Sequence, residues 1–500
     1  MKKRIDKNLI YHSEVVDIDE GGACCENTTA VDTTAENGSN FLGTEPVGKL
    51  LLKLALPAVA AQIINMLYNL VDRIYIGHIP DIGALALTGV GVCMPIIMLV
   101  SAFAAFASMG GAPRASIYLG KKDSASAEKV IGNCFVFLIA ISAILTTVLL
   151  VFTDEILMLF GASENTIGYA SKYMRIYAIG TIFVQLALGM NAFISAQGFA
   201  KMSMLTVLIG AVLNIILDPI FIFALKLDVA GAAIATVISQ GVSAIFVICV
   251  LSSKKSTLRL KIKNMKIDFK ILFSCLTLGF ASFVMQSTES VVIVCFNSSL
   301  LKYGGDIAVG AMTILSSVMQ FTMLPLQGFG QGAQPIMSYN FGAGNSTRVK
   351  AVFKRLLVAN VCYSGVLWVL IMAMPQVFAK IFTSDAALVS YAGWSMRIYM
   401  GAAVLMGVQM ACQMSLIAIG NAKASVFVAI IRKIILLIPL IYLMPLMVEN
   451  GALAVFLAEP IADVIAVSMT VIIFAISFKK AMKKLNSIGE IPDIPKNQIA

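Results

Sequence analysis

The chain has 500 residues, of which 59% are hydrophobic and 13% charged, and its mean hydropathy is +0.89. Soluble chains hold about 45–50% apolar residues, so no water-soluble core accommodates this surface, and an all-α polytopic membrane protein is predicted. The net charge of +10 sits in short loops between apolar runs, as membrane orientation requires, so no nucleic-acid partner is expected.

Residues 1–45 are polar and aperiodic and read as a disordered cytoplasmic tail. They lack the regions of a signal peptide. Cys24 and Cys25 lie in this tail, and the other cysteines fall in apolar runs, where Cys behaves as a small hydrophobe. His12 and His78 are the only histidines. With no HExxH pair and no Walker A loop, neither an enzyme nor an ATP-driven pump is expected, and no cofactor.

From Pro46 onward the apolar runs reach spanning length. Six fall at roughly 50–77, 84–112, 131–153, 168–197, 201–224 and 230–252. Six more fall at roughly 272–299, 306–334, 353–375, 390–419, 423–446 and 450–477. This gives an N-lobe over 46–252, a polar linker over 253–271, a C-lobe over 272–478 and a polar tail over 479–500. Basic residues gather on one side, at Arg114, Lys121, Lys122, Lys129, Lys201, the linker, Arg348, Lys350, Lys354, Arg355 and Lys423. The positive-inside rule makes that side cytoplasmic, with both termini and the linker, in a multi-pass protein of the cell membrane.

The halves repeat. A shift of 222 places Gly110 on Gly332, Pro113 on Pro335, Ser116 on Ser338 and Gly120 on Gly342. It also places Met174-Arg175-Ile176-Tyr177 on Met396-Arg397-Ile398-Tyr399. Six helices per half is an even number, so the lobes share one orientation and are related by a pseudo-two-fold axis along the membrane normal.

Polar residues confined to one lobe are the better candidates for chemistry. Under the shift Asp72 falls on Val294, Asn214 on Leu436, Asp218 on Leu440 and Thr236 on Ala458. Asn214 and Asp218 share a helix face, and Pro219 deprives the Ile215 carbonyl of its donor. Oxygen clusters at broken membrane helices bind Na⁺ or H⁺, so Asp72, Asn214, Asp218 and Thr236 are the candidate cation-coupling set, with Na⁺ as the candidate metal. Alternatively, Asp218 caps a kink and Asp72 ends its helix beside Arg73. Gln62, Asn65, Asn69 and Asp72 form one stripe on the first helix. With Met66 and with Gln286 and Glu289 of the seventh helix, that stripe is the candidate substrate-binding set. Glu459 and Asp463 share a face of the last helix, and these two acids and Glu289 either serve the site or neutralise Arg432 and Lys433.

The sequence resembles the multidrug and toxic compound extrusion (MATE) transporters. The likeness rests on Leu56-Pro57, Tyr68-Asn69-Leu70-Val71-Asp72, Asn214-x-x-x-Asp218-Pro219, Gly231 to Thr236 and the Gly330 to Pro335 stretch, and it covers about residues 46–478. It implies two six-helix lobes forming a V. It also implies export of organic, mostly cationic drugs by a monomer while Na⁺ or H⁺ enters. A family cation site would fall on Asp72, Asn214, Asp218 and Thr236, and a helix-7 acid on Glu289. The helix-10 Asp of that branch is missing at Val404-Leu405-Met406, which leaves Glu289 as a drug-binding acid rather than part of a C-lobe Na⁺ site. The alternative function is a lipid-linked oligosaccharide flippase of the same superfamily.

Overall fold

The computed structural model describes residues 41–489 apart from residue 255. Backbone polar groups find no partners in hydrocarbon, so spanning segments close their hydrogen bonds internally. Among the described residues ten helices are long and apolar enough to cross a membrane, and one bent pair adds an eleventh span. One of the ten, Phe269–Gly342, breaks at Gly305 (φ 66°, ψ −166°) into two arms, which gives twelve spans.

We number them α1 (Val47–Gly77), α2 (Gly83–Gly120), α3 (Ser124–Val151), α4 (Ile167–Ala196), α5 (Ala200–Pro219), α6 (Asp228–Ser252), α7 (269–304) and α8 (306–342). Then follow α9 (Ser346–Ala373), α10 (Ala386–Tyr399 with Met406–Ala418), α11 (Ala422–Leu446) and α12 (Gly451–Gly489). The halves of α10 meet at 52°.

Several helices outrun their apolar cores. The second was expected over 84–112 and runs to Gly120, the eighth over 306–334 and runs to Gly342, and the last over 450–477 and runs to Gly489. Hydropathy marks the length in hydrocarbon, whereas the backbone ladder continues into polar surroundings until a cap or glycine stops it.

The repeat is visible as duplicated hydrogen bonds. Ser116 Oγ donates to the Ala196 carbonyl at 2.7 Å, and Ser338 Oγ donates to the Ala418 carbonyl at 2.8 Å. Asp123 caps α3 by accepting from the Ser126 N–H, and Asn345 caps α9 by accepting from the Arg348 N–H. These bonds from Ser126 hold the Asp123 carboxyl below its ordinary value.

The lobes touch at the end that carries the basic loops and part at the other. At the basic end one core mixes both lobes, with Leu50, Ile131 and Phe193 packed among Ile336, Val352 and Leu416. Away from it the cores are separate: Ile76, Val90, Met174 and Ile222 in the N-lobe, and Phe296, Leu315, Met396 and Phe456 in the C-lobe. The lobes therefore form a V that opens away from the basic end.

At the crossing of α2 and α7 the backbones touch. A Cβ on Gly110 would stand 1.9 Å from the Cys275 carbonyl oxygen, and one on Gly279 1.8 Å from that of Phe106. Phe103 and Phe106 pack on Phe283 across this crossing, with centroids 4.9 and 5.3 Å apart.

Two short segments reach from one lobe to the other at the same end. The expected disordered tail lies outside the described residues up to residue 40, but its last part, Phe41–Thr44, is a helical turn with Leu42 fully buried. The Leu42 carbonyl accepts from Asn340 Nδ2 (2.9 Å) and Arg348 Nη2 (3.1 Å) of the C-lobe, and Arg348 also donates to the Glu45 carbonyl (2.7 Å). The linker, expected to be merely polar, folds onto the N-lobe. Gln197 Oε1 accepts from Ser256 Oγ, Thr257 Oγ1 and the Leu258 N–H, and Asn264 Nδ2 donates to Glu128. Thus the strap preceding each lobe is held by the other lobe. Hydropathy misses both because they are short and held by polar bonds. The end of the polar tail, from residue 490, lies outside the described residues.

Candidate functional site

α1 presents two faces. Ile63, Leu67, Leu70 and Ile74 are exposed, as side chains facing lipid are. Gln62, Asn65, Met66 and Asn69 are half-buried on the other side, and the stripe ends at buried Asp72. Gln62 Nε2 donates to Gln331 Oε1 of α8 at 3.2 Å, so the stripe starts where the lobes meet. Asn69 Nδ2 donates to the Asn65 carbonyl at 2.6 Å.

α5 brings Asn214 and Asp218 to this stripe. Pro219 ends the regular helix, and a π turn over Ile220–Ala224 follows. Such turns widen the backbone ring and mark functional sites often. α6 packs against that turn through Gly231, where a Cβ would stand 2.7 Å from the Phe221 carbonyl carbon. This approach sets Thr236 beside Asn214. We expect Gly231→Val to push α6 away from the turn and to cost several kcal/mol, as overpacking against backbone does. A thermal-unfolding midpoint within a degree of the parent would refute this.

The structure brings the four candidate cation-coupling residues together. Asn214 Nδ2 donates to Asp218 Oδ1 at 3.2 Å and to Thr236 Oγ1 at 3.4 Å. The Asp72 and Asp218 carboxyls are neighbours close enough to influence each other electrostatically. Asp72 is 5% exposed and Asp218 0%. Arg73 is exposed, and neither acid is among the ion pairs of the described residues. Three buried oxygens point at no donor: Asp72 Oδ1, Asn214 Oδ1 and Asp218 Oδ2.

Two like charges ~4 Å apart repel by about 4 kcal/mol at an effective dielectric of about 20. A proton shared between the acids relieves this, and so does a small hard cation among the oxygens. The donor set fits Na⁺ by its chemistry, being two carboxylates, an amide carbonyl and a hydroxyl. No group of three or more His, Cys, Asp or Glu suited to a metal occurs among the described residues.

Two tyrosines complete the wall: Tyr68, which the sequence offered only as part of the motif ending at Asp72, and Tyr173, which it did not offer at all. Buried Tyr68 lies beside Gln240 and Asn69, and buried Tyr173 lies beside Thr236. Tyr68 stands one helical turn before Asp72, a signal that periodicity could have supplied. Tyr173 comes from α4, and nothing local links it to the others.

The C-lobe acids are placed differently. Arg432 Nε donates to Asp463 Oδ1 at 2.7 Å and Nη2 to Glu459 Oε1 at 3.1 Å. Lys433 donates to Glu289. Both basic residues lie on a π segment of α11, Ile431–Leu437. Of the two roles open to Glu289, drug binding and pairing with a basic neighbour, the structure shows the pairing with Lys433. Gln286, three residues earlier on α7, is exposed. The substrate-binding set is thus divided between α1 and α7.

A twelve-helix, two-lobed bundle with unpaired acids buried in one lobe defines the class of secondary transporters built from parallel repeats. The MatE family model matches residues 57–220 and 280–443, once per lobe, and the chain belongs to that family. It is 28% identical over 399 residues to the multidrug export protein MepA of Staphylococcus haemolyticus, covering 79% of this chain and 86% of the relative. MepA of Staphylococcus aureus is 28% identical over 411 residues, covering 81% and 88%. A MATE crystal structure in the bent conformation shares the fold with a TM-score of 0.84 at 22% identity, over 90% of this chain and 99% of that one.

Proposed function

We propose that this chain is a secondary active multidrug exporter that moves organic, mostly cationic and amphipathic compounds out of the cell while Na⁺ or H⁺ enters. The observation that carries the reading is the trio of buried, donorless oxygens on Asp72, Asn214 and Asp218. Their kinship with the MepA proteins, named as multidrug exporters, supplies the cargo class. In this reading the basic end and both termini are cytoplasmic, so the V opens outward. The working unit is a monomer, and the cargo leaves chemically unchanged.

A ligand shifts a conformational equilibrium only by its differential affinity for the two states. A cation entering between α1 and α5 neutralises the Asp72–Asp218 repulsion and draws the two helices together. This reshapes the α1 stripe of Gln62, Asn65, Met66 and Asn69 that faces the drug, and the drug is released outside. A lipid-linked oligosaccharide would need a positive chamber for its pyrophosphate. Here the acids around Arg432 and Lys433 outnumber them, so the flippase reading gains no support.

The test is drug counterflow in proteoliposomes with a Na⁺ gradient or a pH gradient imposed separately. One gradient is expected to drive ethidium against its concentration. Absence of accumulation under both would overturn the reading.

A further inference from the structure

The C-lobe cluster holds one more negative than positive group. Three carboxyls, Glu289, Glu459 and Asp463, face two cations, Arg432 and Lys433. Arg432 is spent on Glu459 and Asp463, and it leaves Glu459 Oε2 buried with no donor. Lys433 is itself buried, and besides Glu289 it lies within the electrostatic reach of Glu459 and Asp463. Its partner Glu289 is the exposed member, with a side chain 46% accessible.

A small pocket of about 30 Å³, room for a single ammonium or water, adjoins Lys433. Met285, Met323 and Met410 line it, together with the amides of Gln409 and Gln413. Both glutamines are buried, and both Oε1 atoms lack donors. Two amide oxygens and one carboxylate oxygen beside Lys433 are therefore acceptors in want of a cation. A buried acceptor without a donor is costly, so these oxygens offer the Lys433 ammonium a second place to go.

We propose that Lys433 is a tethered competitor for the drug. A hydrophobic monocation in the cleft between the lobes takes the half-exposed Glu289 carboxylate. The Lys433 ammonium swings inward onto Glu459 Oε2 and the Gln409 and Gln413 oxygens. The exchange leaves the cluster neutral, because the incoming charge cancels the surplus negative one. Neutral and anionic compounds gain nothing from displacing Lys433, so this residue sets specificity for single positive charge. The inference rests on the export reading above, whose coupling site lies in the other lobe.

The test is equilibrium binding of tetraphenylphosphonium to the detergent-solubilised full chain with no ion gradient, so a failure of coupling leaves this measurement intact. Lys433→Met keeps the length and apolar stem of the side chain and removes the competitor. It is expected to tighten binding about tenfold, the equivalent of about 1.4 kcal/mol. Glu289→Gln is expected to weaken binding about tenfold, and the double variant to behave like Glu289→Gln alone. Lys433→Arg retains a competing charge and is expected to bind within a factor of about two of the parent. A structural role for Lys433 would make Lys433→Met bind more weakly, and that result overturns the proposal. So does a Glu289→Gln protein with parental affinity.

Discussion

Asp218→Asn is expected to abolish cation-driven drug export, lowering counterflow in proteoliposomes at least about tenfold, since coupling energies are on the order of 1–3 kcal/mol. The substitution keeps the volume of the side chain and an oxygen that accepts from Asn214 Nδ2, so the fold is retained. What it removes is one of two negative charges packed together. The same variant should therefore be more stable than the parent in buffer lacking the coupling cation, because the repulsion between Asp72 and Asp218 is gone. Thermal unfolding checks this. The parent's midpoint should rise with the coupling cation as mass action requires, and that of Asp218→Asn should stay flat. Counterflow at the parental rate would sink the assignment of the site.

Arg348→Ala is expected to loosen the closed end. Its guanidinium donates to the Leu42 and Glu45 carbonyls and to Asn340 Oδ1, and so ties the strap ahead of α1 to the opposite lobe. Hydrogen bonds from charged donors contribute about 1.5–3 kcal/mol each. Losing even part of this in one conformation alone shifts the equilibrium about tenfold, which takes about 1.4 kcal/mol. Cys134 and Cys275, both fully buried where α2, α3 and α7 meet, report the change. Their alkylation by maleimide, followed by peptide mass spectrometry, should accelerate about tenfold in the variant. Unchanged labelling with unchanged stability would show that the strap does not hold the lobes together.

Much of this architecture was legible beforehand. The apolar runs gave twelve spans because lipid tolerates only closed backbone ladders. The offset of 222 gave two lobes, since a duplicated unit keeps the residues that seat its own helices, as the Ser116 and Ser338 bonds illustrate. Lobe asymmetry singled out Asp72, Asn214, Asp218 and Thr236, because a carboxylate costs too much inside a membrane to be carried without use.

Other features were not legible. The straps at Phe41–Thr44 and Ile262–Asn264 are too short for any periodicity, and their partners lie hundreds of residues or half a domain away. Tyr173 reaches the site from α4 with no local signal. Glu289, Glu459 and Asp463 read as free or paired with equal ease until Arg432 and Lys433 were seen beside them.

By itself the sequence determined the spans, their repeat, the side that carries the basic loops and the helix that Pro219 breaks, because each follows from properties of neighbouring residues. Only the tertiary structure decided that the lobes close at the basic end, that the N-lobe acids meet outside every ion pair of the described residues, and that Lys433 holds Glu289. Those depend on which helices cross and where their backbones touch, as at Gly110 and Gly279. The packing of distant segments sets these crossings, and no local pattern encodes them.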